Sequence, residues 1–149
     1  MSEFKNILVP IDFSEHSLHA LRLAISLARH SGATVTLLHV GVVPHIYSTE
    51  LGMSGATGPL FTEMSEQVSR EQRHRLEKVA HEELPDEIPH ALVIREGFPP
   101  EEVIAQVGHG SHDLVVMGTH GRTGLGRVLL GSVAERVVRE CPVPVLVTR

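Results

Sequence analysis

Residues 113–132 read Asp113-Leu-Val-Val-Met-Gly118-Thr-His-Gly121-Arg-Thr-Gly124-Leu-Gly126-Arg-Val-Leu-Leu-Gly131-Ser132. The opening apolar run, Asp113 to Met117, reads as a buried strand. Five glycines follow between Gly118 and Gly131. Glycine costs backbone entropy on folding, so this density needs a reason, such as a sharp turn or a close approach to a ligand. After Ser132, the residues Val133, Ala134, Val137 and Val138 fall on one side of a helix. Strand, glycine loop and helix start, in that order, predict a phosphate cradle built from unpaired N–H groups.

The spacing of the glycines and serine is G-x2-G-x9-G-S. A P-loop is excluded, because Leu130-Gly131-Ser132 carries no lysine to place on phosphates. The dinucleotide fingerprint is excluded as well. Gly124-Leu125-Gly126 is followed by Val128-Leu129, where a third glycine belongs.

Outward from this stretch, strands and helices alternate. Phe4 to Pro10 reads as a first strand stopped by proline. Ser14 is the expected N-cap of a helix whose apolar positions are Leu18, Leu21, Ile25 and Ala28, and Ser31-Gly32 ends it. Ala33 to Val40 is β-branched and reads as the second strand. Residues 41–59, with Pro44, Gly52, Gly55, Gly58 and Pro59, read as a long loop or lid. Residues 60–84 carry a stripe of Phe61, Met64, Val68, Gln72, Leu76 and Val79, expected to face the core. His90 to Arg95 is the third strand, and Pro100 opens a short helix through Val103, Ile104 and Val107 that ends near Gly108–Gly110. Val143 to Thr148 closes the series as a fifth strand.

Such alternation predicts one α/β domain over residues 1–149, an open five-stranded parallel sheet with helices on both faces. Ligands in such sheets sit beyond the C-terminal strand ends where strand order reverses. Strands one and four are the neighbours expected there, so Pro10-Ile11-Asp12 faces Met117-Gly118.

Composition narrows the partners. A formal net charge of −5 argues against nucleic-acid binding, which needs clustered Lys and Arg. No apolar run approaches the roughly 20 residues that span a bilayer, and Met1–Asn6 lacks a signal-peptide pattern, so a cytoplasmic location without membrane attachment is expected. A single cysteine, Cys141, allows no internal disulfide. Eleven histidines are scattered; without a cysteine partner or an H-E-x-x-H pattern, no metal site of the protein's own is expected.

The whole chain resembles the universal stress proteins, in particular their nucleotide-binding branch. The likeness lies in Ile7-Leu-Val-Pro-Ile-Asp-Phe-Ser14, Val115-Val-Met-Gly-Thr-His-Gly121, Leu130-Gly-Ser-Val-Ala134 and Cys141-Pro-Val-Pro-Val-Leu-Val147. It implies a Rossmann-like sheet in strand order 3-2-1-4-5. It also implies ATP or AMP as ligand, with Mg²⁺ entering only through the nucleotide phosphates. Gly118, Gly121, Gly131 and Ser132 are then phosphate contacts, joined by Val133 and by Arg122 from the loop. Asp12, beside Pro10, falls near the ribose, and Val40 and Met117 near the base.

The physical reading of these residues runs parallel. Gly118 and Gly121 expose backbone N–H groups, and Gly131-Ser132 stands at a helix N-terminus that favours anions. The competing reading of Ser132 is a capping box with Glu135. That of Asp12 is a turn acid, and that of His120 and Arg122 is solvated loop. No catalytic residue is expected. The leading function is a stress-linked homodimeric sensor or signalling module for adenine nucleotide, and the alternative is a slow ATPase or nucleotidyl-transfer enzyme. The resemblance also implies that the homodimer pairs through the edge strand Val143–Thr148.

Overall fold

The computed structural model describes residues 3–41, 59–120 and 130–149. In chain order the elements are β1 (Asn6–Pro10), α1 (Glu15–Ser31), β2 (Thr34–Gly41), α2 (Pro59–Glu83), β3 (His90–Glu96), α3 (Pro99–His109), β4 (Leu114–Gly118), α4 (Ser132–Glu140) and β5 (Val145–Thr148). The five strands form one parallel sheet in the order β3-β2-β1-β4-β5. That is the predicted 3-2-1-4-5 order. Residues 42–58, which hold most of the expected loop, lie outside the described residues.

β1 is the hinge of the order. It pairs with β2 on one side, Asn6 to Pro10 against Thr34 to Leu38, and with β4 on the other, Ile7 against Leu114 and Leu8 against Val115. Alternation along the strands splits the core in two. Ile7, Val9, Val35, Leu37 and Val116 point to one face, where Leu21, Ala24 and Ala28 of α1 and Leu76 and Ala80 of α2 cover them. Leu8, Leu38, Val115 and Met117 point to the other, under Val103 and Val107 of α3 and Ala134 and Val137 of α4. A parallel sheet needs both faces covered, and the continuous apolar strands reflect it.

Strand starts differ from the sequence reading for identifiable reasons. β1 begins at Asn6 rather than Phe4, because Asp113 takes over the backbone there. Its carboxylate accepts from the N–H of Lys5 at 2.8 Å and from that of Asn6 at 3.0 Å. β5 begins at Val145 rather than Val143, since Pro144 has no N–H and only its carbonyl joins the ladder, accepting from Val115. Helix α1 is capped as expected. The Ser14 hydroxyl accepts from Ser17 N–H, and Gly32 closes the other end in the left-handed region at φ 66°.

The α2 stripe is core only in its second half. Leu76 is fully buried, whereas Met64 and Val68 are 58% and 45% exposed. Among the described residues, the first turns of the helix have no apolar partner that buries these two side chains. The Arg22–Glu83 pair joins α1 to α2 at 2.8 Å. Solvent around the Arg22 guanidinium screens this pair, so packing rather than charge seats α2.

His112, between α3 and β4, is buried. Burial pushes its imidazole below the ordinary value of 6.5. The unfolded chain therefore binds a proton that the folded chain refuses. This stability is present above the unfolded value and is lost as pH falls through it. His112→Gln should consequently show a flatter decline of melting temperature than the wild type between about pH 7.5 and about pH 5.5. Parallel declines in the two proteins would contradict this role for His112.

Candidate functional site

The C-terminal ends of β1, β2 and β4 open into a cavity of about 620 Å³. That falls within the roughly 300–1,000 Å³ of small-molecule sites. Its floor is Pro10, Ile11 and Asp12 from the end of β1, Leu38 to Gly41 from β2, and Met117 to His120 from β4. Pro99 and Val103 of α3, Gln72 of α2 and Ser132 to Ala134 of α4 supply the walls. The position is the one that topology dictates. Helices after β1 and β2 cover one face and those after β3 and β4 the other, which places the switch point of the sheet between β1 and β4.

At one end of the cavity stands the N-terminus of α4. Gly131 is its N-cap, with no side-chain capping bond. The Gly131 carbonyl accepts from Glu135 N–H, which fixes the helix start at Ser132. The competing capping-box reading does not hold: Ser132 is the first helical residue, not the cap. With Ser132, Val133 and Ala134 on the cavity wall, the first turn presents its backbone donors to the cavity. Together with the helix dipole they favour an anion.

The glycines here serve the fold directly. A Cβ on Gly118 would lie 2.9 Å from the backbone of His16 in α1. A Cβ on Gly131 would lie 2.8 Å from the Thr119 carbonyl oxygen, which already accepts from Gly131 N–H at 2.6 Å. Gly131 thus clips the start of α4 to the end of β4. Gly121 and Arg122 fall outside the described residues.

At the start of α1 the electrostatics differ. The Asp12 carboxylate accepts from Ser14 N–H at 2.9 Å and from the Ser14 hydroxyl. This acid occupies the helix start from within, as the turn reading anticipates, while still lining the cavity. Two helix starts therefore face one cavity, one with a carboxylate built in and one without.

On the β2 side of the cavity lies His39, which sequence reasoning missed. It is buried on β2, its Nδ1 lies 2.7 Å from the Ile11 carbonyl, and its ring sits 4.5 Å from that of Phe13. A carbonyl only accepts, so Nδ1 carries the proton. Phe13 adopts φ 67°, rare for a non-glycine residue. The His39 ring on one side and the Arg75 guanidinium 4.1 Å from its centroid hold it there. The only sequence signal for His39 is a polar residue inside an apolar strand. His120 lines the cavity with its Nδ1 on the Thr119 hydroxyl at 3.0 Å, and its ring lies 5.6 Å from His16. Of the residues expected at the site, Pro10, Asp12, Val40, Met117, Gly118, Ser132 and Val133 all line this one cavity, and Gly131 abuts it.

Residues 3–149 match the model of the Universal stress protein family. The chain is 36% identical over 147 residues to Universal stress protein MJ0531 of Methanocaldococcus jannaschii, covering 98% of this chain and 82% of that one. It is 31% identical to MJ0577 of the same organism, covering 98% and 95%. A solved structure of MJ0577, the subject of a structure-based assignment of biochemical function, superposes with a TM-score of 0.82 at 32% identity over 99% of this chain and 96% of that one. Universal stress protein UspA from Lactobacillus plantarum superposes at 0.72 with 25% identity over the full length of both.

Gly118→Ala and Gly131→Ala should each lower stability to urea by about 1–3 kcal/mol, the usual cost of overpacking against backbone. Unchanged midpoints would show that neither close approach is needed.

Proposed function

The chain belongs to the universal stress protein family, and from that premise we propose that it binds an adenine nucleotide, ATP or AMP, as a homodimeric sensor or signalling module of the stress response. The start of α4 at the cavity, whose N-cap Gly131 has no side chain to bond the helix donors, carries this reading. An anion of the ligand sits on the N–H groups of Ser132, Val133 and Ala134, and the Ser132 hydroxyl adds a donor. Gly118, Gly121 and Arg122 complete the phosphate side. Asp12 accepts from ribose hydroxyls, and Val40, Pro10 and Met117 provide the apolar bed for the base. Mg²⁺ arrives on the phosphates.

Structures of this fold include a universal stress protein in complex with cAMP and one from Archaeoglobus fulgidus in complex with dAMP, each 21% identical to this chain. At that identity they speak for the fold, and the nucleotide reading rests on the cavity. Binding rather than turnover is favoured because the helix start carries no lysine to neutralise a transferring phosphoryl group. The slow ATPase reading therefore predicts at most weak activity. The edge position of β5, paired only with β4 among the described strands, supports dimerisation through Val143–Thr148.

Calorimetry should show ATP binding, with turnover below about 1 s⁻¹, the low end of ordinary enzymes. Ser132→Asp separates binding from folding. An acid in the first turn stabilises a helix, yet it repels a phosphate there. The variant should lose ATP affinity by about tenfold or more while its melting temperature holds or rises. Full retention of affinity would remove α4 from the site. Sedimentation should give twice the 16.3 kDa chain mass, and a single-chain mass would overturn the dimer.

A further inference from the structure

The two ends of the cavity differ chemically. The α4 start lies beside β4, while Val40 and Gly41 lie at the end of β2. In the observed strand order these are separated by β1, so the ends stand two strand spacings apart, about 10 Å. The anion end is accounted for by helix donors. At the far end stands one side chain that the phosphate reading leaves unused, Gln72.

Gln72 interrupts the apolar stripe of α2, four residues after Val68 and four before Leu76. A leucine there would continue the stripe. Instead the amide reaches the cavity wall and lies against the end of β2. A Cβ built on Gly41 would lie 2.6 Å from its Oε1 and 3.2 Å from its Nε2. Gly41 has no φ in the left-handed region. Backbone conformation therefore does not demand glycine at this position. What glycine provides is room for the amide to lie flat on β2.

An amide offers an acceptor oxygen beside two N–H donors. Adenine presents a donor, its exocyclic amine, next to a ring-nitrogen acceptor. We propose that Gln72 is a base-reading residue, whose amide hydrogen-bonds the amine-bearing edge of an adenine held over Val40 and Gly41. The proposal rests on the nucleotide reading above and adds to it a polar selector on α2. The apolar bed holds any purine, and the amide distinguishes one with an exocyclic amine at C6.

The test compares ATP with purine riboside 5′-triphosphate, which lacks that amine, by calorimetry on the full chain. The wild type should prefer ATP by about tenfold, the discrimination of one good two-bond pair. Gln72→Leu should lower ATP affinity about tenfold and change affinity for the unsubstituted purine by less than about threefold, so that the preference vanishes. Leucine continues the α2 stripe, so the fold should be retained. Gly41→Ala displaces the amide without removing it and should shrink the same preference. A wild type without preference, or a Gln72→Leu variant that keeps it, would overturn the assignment of Gln72. Failure of the wild type to bind either triphosphate would instead overturn the nucleotide reading itself.

Discussion

The pairing of β1 with β4 creates the switch point at which the cavity opens. Ile7 lies against Leu114 and Leu8 against Val115, and Asp113 fastens the start of β4 to the backbone of Lys5 and Asn6. Parallel strands joined by right-handed crossovers must send their helices to opposite faces once the order reverses. α1 and α2 therefore cover one face, and α3 and α4 the other. Beyond the strand ends the described residues leave a cavity between them. The close approach of Gly118 to His16 and the clip from Gly131 to Thr119 set the width of that opening.

Charge within the opening is uneven, and the unevenness selects the ligand end. The α1 start is neutralised from within by Asp12. The α4 start has glycine as its N-cap, with no side-chain capping bond. Under the proposed function, an anionic group is drawn to α4 and kept from α1, which orients the ligand across the sheet toward β2. His39 stiffens that floor by tying β2 to Ile11 and supporting the unusual backbone of Phe13. Arg75 and Gln72 bring α2 to the same place, one on the Phe13 ring and one on Gly41.

Much of this was legible in the chain. Apolar runs of strand length, separated by helical spacing and closed at Gly32 or opened at Pro100, located all five strands and the order of elements. The site's position followed from topology, and Pro10, Asp12, Val40 and Met117 were placed at the strand ends where the cavity lies. What the chain concealed was decided by long-range contacts. Gly118 and Gly131 read as room for a ligand, but a Cβ at either would meet His16 or Thr119 in the fold itself. A capping box at Ser132 was the competing reading, but the Gly131 carbonyl already accepts the first helical bond. Met64 and Val68 follow a core period yet stand exposed among the described residues. Gln72 and His39 were hidden because one polar residue within an apolar pattern carries no local sign of what it faces.

The central claim is that the first turn of α4 holds the anionic end of the ligand. Titration of the ¹⁵N-labelled protein with ATP, followed by amide resonances, tests it most directly. The amides of Ser132, Val133 and Ala134 should shift most, while that of Gly131, already bonded to Thr119, should shift less. Saturable binding that leaves the α4 amides in place and moves resonances elsewhere would contradict the account.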